Sequence, residues 1–98
     1  MTFSIKFLSE ADAQLTELEN NRGLKSQEKA VKKCLGFLEQ NPKHSGLKTH
    51  KYSSLKGPNG EEVFEAYAQN NTPGAFRVFW CYGPNKNEIT IISTTPHQ

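Results

Sequence analysis

The run Phe76-Arg77-Val78-Phe79-Trp80-Cys81-Tyr82, closed by Gly83-Pro84-Asn85, constrains the fold more than any other feature of the sequence. Its aromatic density and closing turn residues read as a strand, the strongest in the chain. Three neighbours carry the same period. Val63 to Ala68 alternates, with Val63, Glu65 and Tyr67 on one face and Phe64, Ala66 and Ala68 on the other. Ile89 to Thr95 is β-branched, and Leu47 to Tyr52 is a weaker candidate. Gly57-Pro58-Asn59-Gly60 and Asn70-Asn71-Thr72-Pro73-Gly74 supply the turns between them.

The first half has a different period. After a short alternating strand through Phe3, Ile5 and Phe7, Ser9-Glu10-Ala11-Asp12 reads as an N-cap with acids in the first turn. Ala11, Leu15 and Leu18 follow at helical spacing until Asn20-Asn21-Arg22-Gly23. Ser26 reads as the cap of a second helix, with Ala30, Val31, Cys34, Leu35 and Leu38 on its apolar face and Asn41-Pro42 at its end. The order β-α-α-β-β-β-β predicts an α+β fold, an N-terminal strand and helical hairpin packed on an antiparallel sheet of about four to five strands. At 98 residues, the expectation is one domain spanning 1–98.

Composition narrows the function. No apolar run approaches the ~20 residues that span a bilayer, and the N-terminus has neither the apolar stretch nor the cleavage site of a signal peptide. A cytoplasmic protein without membrane contact is expected. Cys34 and Cys81 have no C-x-x-C partner and read as buried free thiols. His44, His50 and His97 lie apart from both, so no metal site is expected. The net charge of +2 is unevenly spread. Residues 25–56 hold eight lysines against Glu28 and Glu39, and both flanking segments are net negative. That pattern suits phosphate contact, or a solvated helix face with a lysine-rich loop.

A few residues could carry chemistry. Arg77 interrupts an aromatic strand. If Phe76, Val78, Trp80 and Tyr82 face the helices, it projects from the open face of the sheet, to hold a phosphate or to pair with Glu65. His97, straight after the last strand, could move a proton or belong to a frayed tail. Lys48, His50, Lys51 and Tyr52 interleave cations with rings, as RNA contact requires. Glu65 and Tyr67 share a strand face as base and stacking platform, or as ordinary cross-strand partners. Gly57-x-x-Gly60 lacks the Lys-Ser/Thr of a nucleotide-binding loop, and there is no G-x-S-x-G elbow. No small-molecule cofactor is implied. What remains is metal-free phosphodiester chemistry, in which RNA supplies its own 2′-hydroxyl nucleophile.

The strand, the helical hairpin, the basic connector ending in Ser54-Leu55-Lys56-Gly57, the Phe76-Arg77-Val78-Phe79 strand and the terminal strand running to a histidine together resemble the RelE/ParE superfamily of bacterial toxins. The resemblance covers nearly the whole chain. It implies the toxin of a toxin–antitoxin pair, with a cognate antitoxin as partner. It also implies a ribosome-dependent endoribonuclease cleaving mRNA in the RelE/YoeB branch. Alternatives are the gyrase-directed ParE branch and a non-toxic RNA- or protein-binding relative. Arg77 matches the family's phosphate-binding strand arginine, and His97 is similar in place to the C-terminal histidine of the YoeB branch. The strand before Arg77 carries Glu65 and Tyr67 where the RelE branch places lysines. The expected site is therefore Arg77, His97 and Glu65 for catalysis, with Lys48, His50, Lys51, Lys56 and Tyr67 holding RNA.

Overall fold

The computed structural model describes residues 2–70 and 74–96. Strand β1 (Ser4–Phe7) leads into α1 (Ser9–Asn20), and a 3-10 turn joins α1 to α2 (Lys25–Gln40). A second 3-10 turn, Ser45–Leu47, precedes β2 (His50–Lys56), β3 (Glu62–Tyr67), β4 (Phe76–Tyr82) and β5 (Glu88–Pro96). The expected α+β arrangement holds, with five strands in the order β1-β5-β4-β3-β2. One pairing departs from the antiparallel pattern. β1 runs parallel to β5, because the intervening chain returns to bring in the last strand beside the first.

The helices cover one face of the sheet. Ala11 and Leu18 of α1 and Val31, Cys34 and Leu38 of α2 pack with Ala66, Val78, Trp80, Ile89 and Ile91. Their three- and four-residue spacing makes one apolar stripe per helix. The other face has only a thin cover, in which Leu8, Tyr52 and Leu55 lie over Val63, Phe79, Cys81 and Ile92. β4 is thus buried on both faces along almost all of its length.

Local starts differ from the expected ones for identifiable reasons. Neither Ser9 nor Ser26 caps a helix. The Leu8 amide donates to the Ile91 carbonyl and the Leu8 carbonyl accepts from Asp12, so α1 begins directly off the β1–β5 pairing. Before α2, the Asn21 side chain accepts from the Gly23 amide and the 3-10 turn runs on into the helix. The strand expected from Leu47 starts instead at His50. Leu47 is turned under the helices as a core residue, and Lys48 adopts a left-handed conformation at φ 50°. Within β2, Tyr52 and Leu55 both face the thin core although three apart, which a regular strand forbids. A register irregularity between Lys51 and Lys56 reconciles them.

Burial pushes the Cys34 thiol up to about 12. Burial, with the Glu61 carboxylate nearby, raises that of Cys81 too. With so little thiolate present, both cysteines of the folded protein should resist iodoacetamide at pH 8 and react once urea unfolds the chain. A mass spectrum taken before and after unfolding reads this directly. The Lys6 ammonium, 3.0 Å away, and the Asn85 amides hold the Glu88 carboxyl below its ordinary value. A depressed folded-state pKa contributes stability above the unfolded value and loses it as pH falls through the folded one. The Tm should therefore decline on acidification through this range, and Glu88→Gln should make that decline shallower.

Candidate active site on the open face

Register places two rows of side chains on the thinly covered face. His50 lies opposite Glu65, which lies opposite Phe79 and then Ser93; in the next row Tyr67, Arg77 and Thr95 are aligned. Glu65 is buried, at 5% exposure, and so is Arg77, at 7%. One Glu65 oxygen sits 2.7 Å from His50 Nε2 and the other 3.7 Å from Arg77 Nε. A His–Glu–Arg cluster results, with only His50 substantially exposed.

Arg77 lies on the face away from the helices, as expected, but it does not project into solvent. Its guanidinium lies 3.9 Å from the centroid of the Tyr67 ring, which covers it. Nη1 donates to the Gln69 carbonyl at 2.8 Å, while the Gln69 side chain accepts from the Phe76 amide. Arg77 Nε has no hydrogen-bond acceptor among the described residues. The pairing with Glu65 is real, but at 3.7 Å it leaves that N–H unsatisfied. Nothing in the pattern of β3 marks Gln69 as the residue that would fix Arg77, since its contacts come from where the chain leaves the strand.

His50 is held at both nitrogens. Nδ1 lies 3.2 Å from the Lys48 carbonyl and Nε2 faces Glu65. The Lys48 carbonyl can only accept, and so can the Glu65 carboxylate when ionised. Its edge meets Tyr67, with ring centroids 5.5 Å apart. Beside the cluster runs a groove of about 400 Å³ lined by Tyr52, Ser54, Leu55, Glu65, Phe79, Ser93, Thr95 and Pro96. It offers a carboxylate and hydroxyls against an aromatic floor. No group of His, Cys, Asp and Glu among the described residues is placed to hold a metal.

The lysines are distributed otherwise than the sequence suggested. Lys51 pairs with Phe64 and Lys56 with Glu62 in the ladder, so both point to the helix side of the sheet, and Lys51 meets Glu62 at 3.4 Å. Lys48 lines a different groove, also on the helix side. Strand alternation is the reason: His50 and Lys51 are adjacent in sequence and therefore opposite in direction. The structure brings Arg77, Glu65, His50 and Tyr67 together and puts Lys48, Lys51 and Lys56 elsewhere. His97 lies outside the described residues.

No family model and no curated protein matches the sequence. Solved structures do. RelE of the archaeal RelE–RelB complex from Pyrococcus horikoshii OT3 superimposes with a TM-score of 0.65 at 16% identity, over 98% of this chain and 96% of that one. The YoeB dimer from Staphylococcus aureus gives 0.65 at 19% identity over the whole of both chains. The fold is that of the RelE and YoeB toxins. A YoeB/ParE toxin from Agrobacterium tumefaciens gives 0.70 at 8% identity, over 98% of this chain and all of the other. At these identities the RelE/YoeB likeness is one of backbone arrangement, including the sheet that carries Arg77. No described helix is long and apolar enough to cross a membrane.

Removing one partner of a buried ion pair leaves the other charge stranded, at a cost of roughly 3–5 kcal/mol. Glu65→Ala and Arg77→Met should each destabilise the protein on that scale in urea titrations, and the double variant by clearly less than their sum. His50→Ala, removing a half-exposed partner, should cost about 1 kcal/mol or less.

Proposed function

We propose that this chain is the toxin of a bacterial toxin–antitoxin pair and acts as a metal-independent, ribosome-dependent endoribonuclease on mRNA. The observation that carries the proposal is the buried Arg77 Nε–H, which has no acceptor among the described residues and lies beside a carboxylate paired with His50. A phosphate oxygen is the acceptor such a group suits, and a guanidinium is the cation best shaped for it. The RelE/YoeB fold supports the same assignment, and the RelB-bound neighbour supports an antitoxin as partner.

In this mechanism Glu65 takes the proton of the 2′-hydroxyl, held in place by His50. The 2′-oxygen attacks phosphorus and the bond to the 5′-oxygen breaks. That oxygen receives a proton from His97, leaving a 2′,3′-cyclic phosphate and a 5′-hydroxyl. Arg77 stabilises the charge that gathers on the phosphoryl oxygens, an effect worth ~10²–10³ in rate at comparable sites. Tyr67 keeps the guanidinium in plane and shields it from water, and the groove floor of Tyr52 and Phe79 receives the neighbouring base. Lys48, Lys51 and Lys56 are left for contacts away from the scissile phosphate.

Primer extension on a defined message in a purified translation system tests this. Wild type should cut only on ribosomes and leave free RNA intact. Arg77→Lys, which retains charge but loses the guanidinium geometry, should lose at least about tenfold, and Glu65→Gln ~10²-fold or more. His97→Ala should slow cleavage without abolishing binding. Intact message in every lane overturns the nuclease reading.

A further inference from the structure

A second groove, of about 450 Å³, opens on the helix side of the sheet, where the turn after α2 overhangs β3 and β4. Its floor is aromatic. Trp80 stacks with Phe64 at 5.0 Å, and Tyr82 meets Trp80 edge-on at 4.9 Å and Phe64 at 5.8 Å. Tyr82 is 39% exposed, the largest exposure of any big hydrophobic side chain among the described residues. Three ring neighbours, including Phe3 at 6.2 Å, nevertheless hold it in place.

Each polar side chain lining this groove carries at least one donor. Lys43 and Lys48 form its exposed rim, and no lining residue is acidic. His44 Nδ1 accepts from the Gly46 amide, which leaves its Nε2 as the protonated nitrogen, and the ring is fixed by stacking on Phe37 at 4.3 Å. Two buried groups lack partners among the described residues. The Trp80 indole N–H, in a residue 1% exposed, has no acceptor, and neither does the Thr49 hydroxyl. Buried donors of this kind cost ~1–3 kcal/mol each when unsatisfied.

We propose that this groove binds a segment of single-stranded RNA, seating one base against Tyr82 with its flanking phosphates on Lys43 and Lys48. Point-charge lysines spaced around a rigid ring are the elements of single-strand recognition, in which cations follow the backbone and a base stacks. Burial raises the Tyr82 phenol, so the ring stays neutral beside phosphate. Lys51 and Lys56 project from the same sheet face and extend the cationic surface beyond the groove, with Glu62 offsetting Lys51 in part. The site is separated by the thickness of the sheet from Glu65 and Arg77, and it does not depend on the cleavage reading.

Trp80 is the only tryptophan in the chain, so its fluorescence reports on the groove directly. Titration with an RNA hexanucleotide, without ribosomes, should quench it saturably. Lys43→Ala/Lys48→Ala should lower the slope of log K against log salt by about 1.4, the loss of two phosphate contacts on a single strand. Tyr82→Leu should weaken binding about tenfold or more. Arg22→Ala, which removes one charge ahead of the first turn of α2, should leave both unchanged. Circular dichroism verifies that each variant is folded. No quenching by RNA, or an unchanged salt slope in the double lysine variant, overturns the proposal. Equal quenching by a hexaglutamate peptide also overturns it and assigns the groove to an acidic protein. Because no cleavage is read, failure here is distinct from failure of the nuclease assay.

Discussion

The pairing of β4 with β5 is the constraint on which the rest depends. It runs from Phe76 opposite Pro96 to Tyr82 opposite Ile89 and sits at the centre of a five-stranded sheet. Both strands present apolar side chains on both faces, so two cores of unequal thickness share one backbone. The helix side is deep and anchors the fold through Trp80, Val78 and Ile91. The other side is one layer of side chains thick, and this is where charged groups can be buried yet reached.

Glu65 and Arg77 illustrate what such a layer permits. Fully within the helix-side core, a carboxylate and a guanidinium at 3.7 Å without a hydrogen bond would be a heavy burden. On the thin side the Tyr67 ring and the Gln69 carbonyl shelter the cation while His50 connects the anion to solvent. Strand register places the cluster, and the Gln69 and Lys48 carbonyls hold Arg77 and His50 from just beyond the strands.

Much of this was legible in the sequence. The change of period between the halves identifies the helical hairpin and the strands; alternation puts Glu65 and Tyr67 on one face of β3 and Arg77 opposite the aromatic row of β4, and the structure turns both toward the side away from the helices. Alternation in β2 was not legible, because its register irregularity and the left-handed Lys48 move the start of the strand and set the direction of each lysine. A cluster of like charges along a chain therefore said nothing about which face would carry them. The caps failed for a similar reason. Ser9 and Ser26 have the right chemistry, but hydrogen bonds from β5 and from a 3-10 turn already determine where the helices begin.

β1 pairs with β5 only as far as Phe7 opposite Ile91, and β5 continues to Pro96. Along that remainder the Thr94 amide is taken by the side chain of Gln14, at 2.7 Å from α1. A helix residue thus occupies a place that a backbone would otherwise fill. Any chain seeking to extend the sheet there would first have to displace Gln14, and the overlying helix with it. Growth by strand addition is directed to the opposite margin, where β2 bends at its irregularity and carries lysines. The molecule packs its strongest β segments side by side with one margin of the sheet obstructed by a helix side chain.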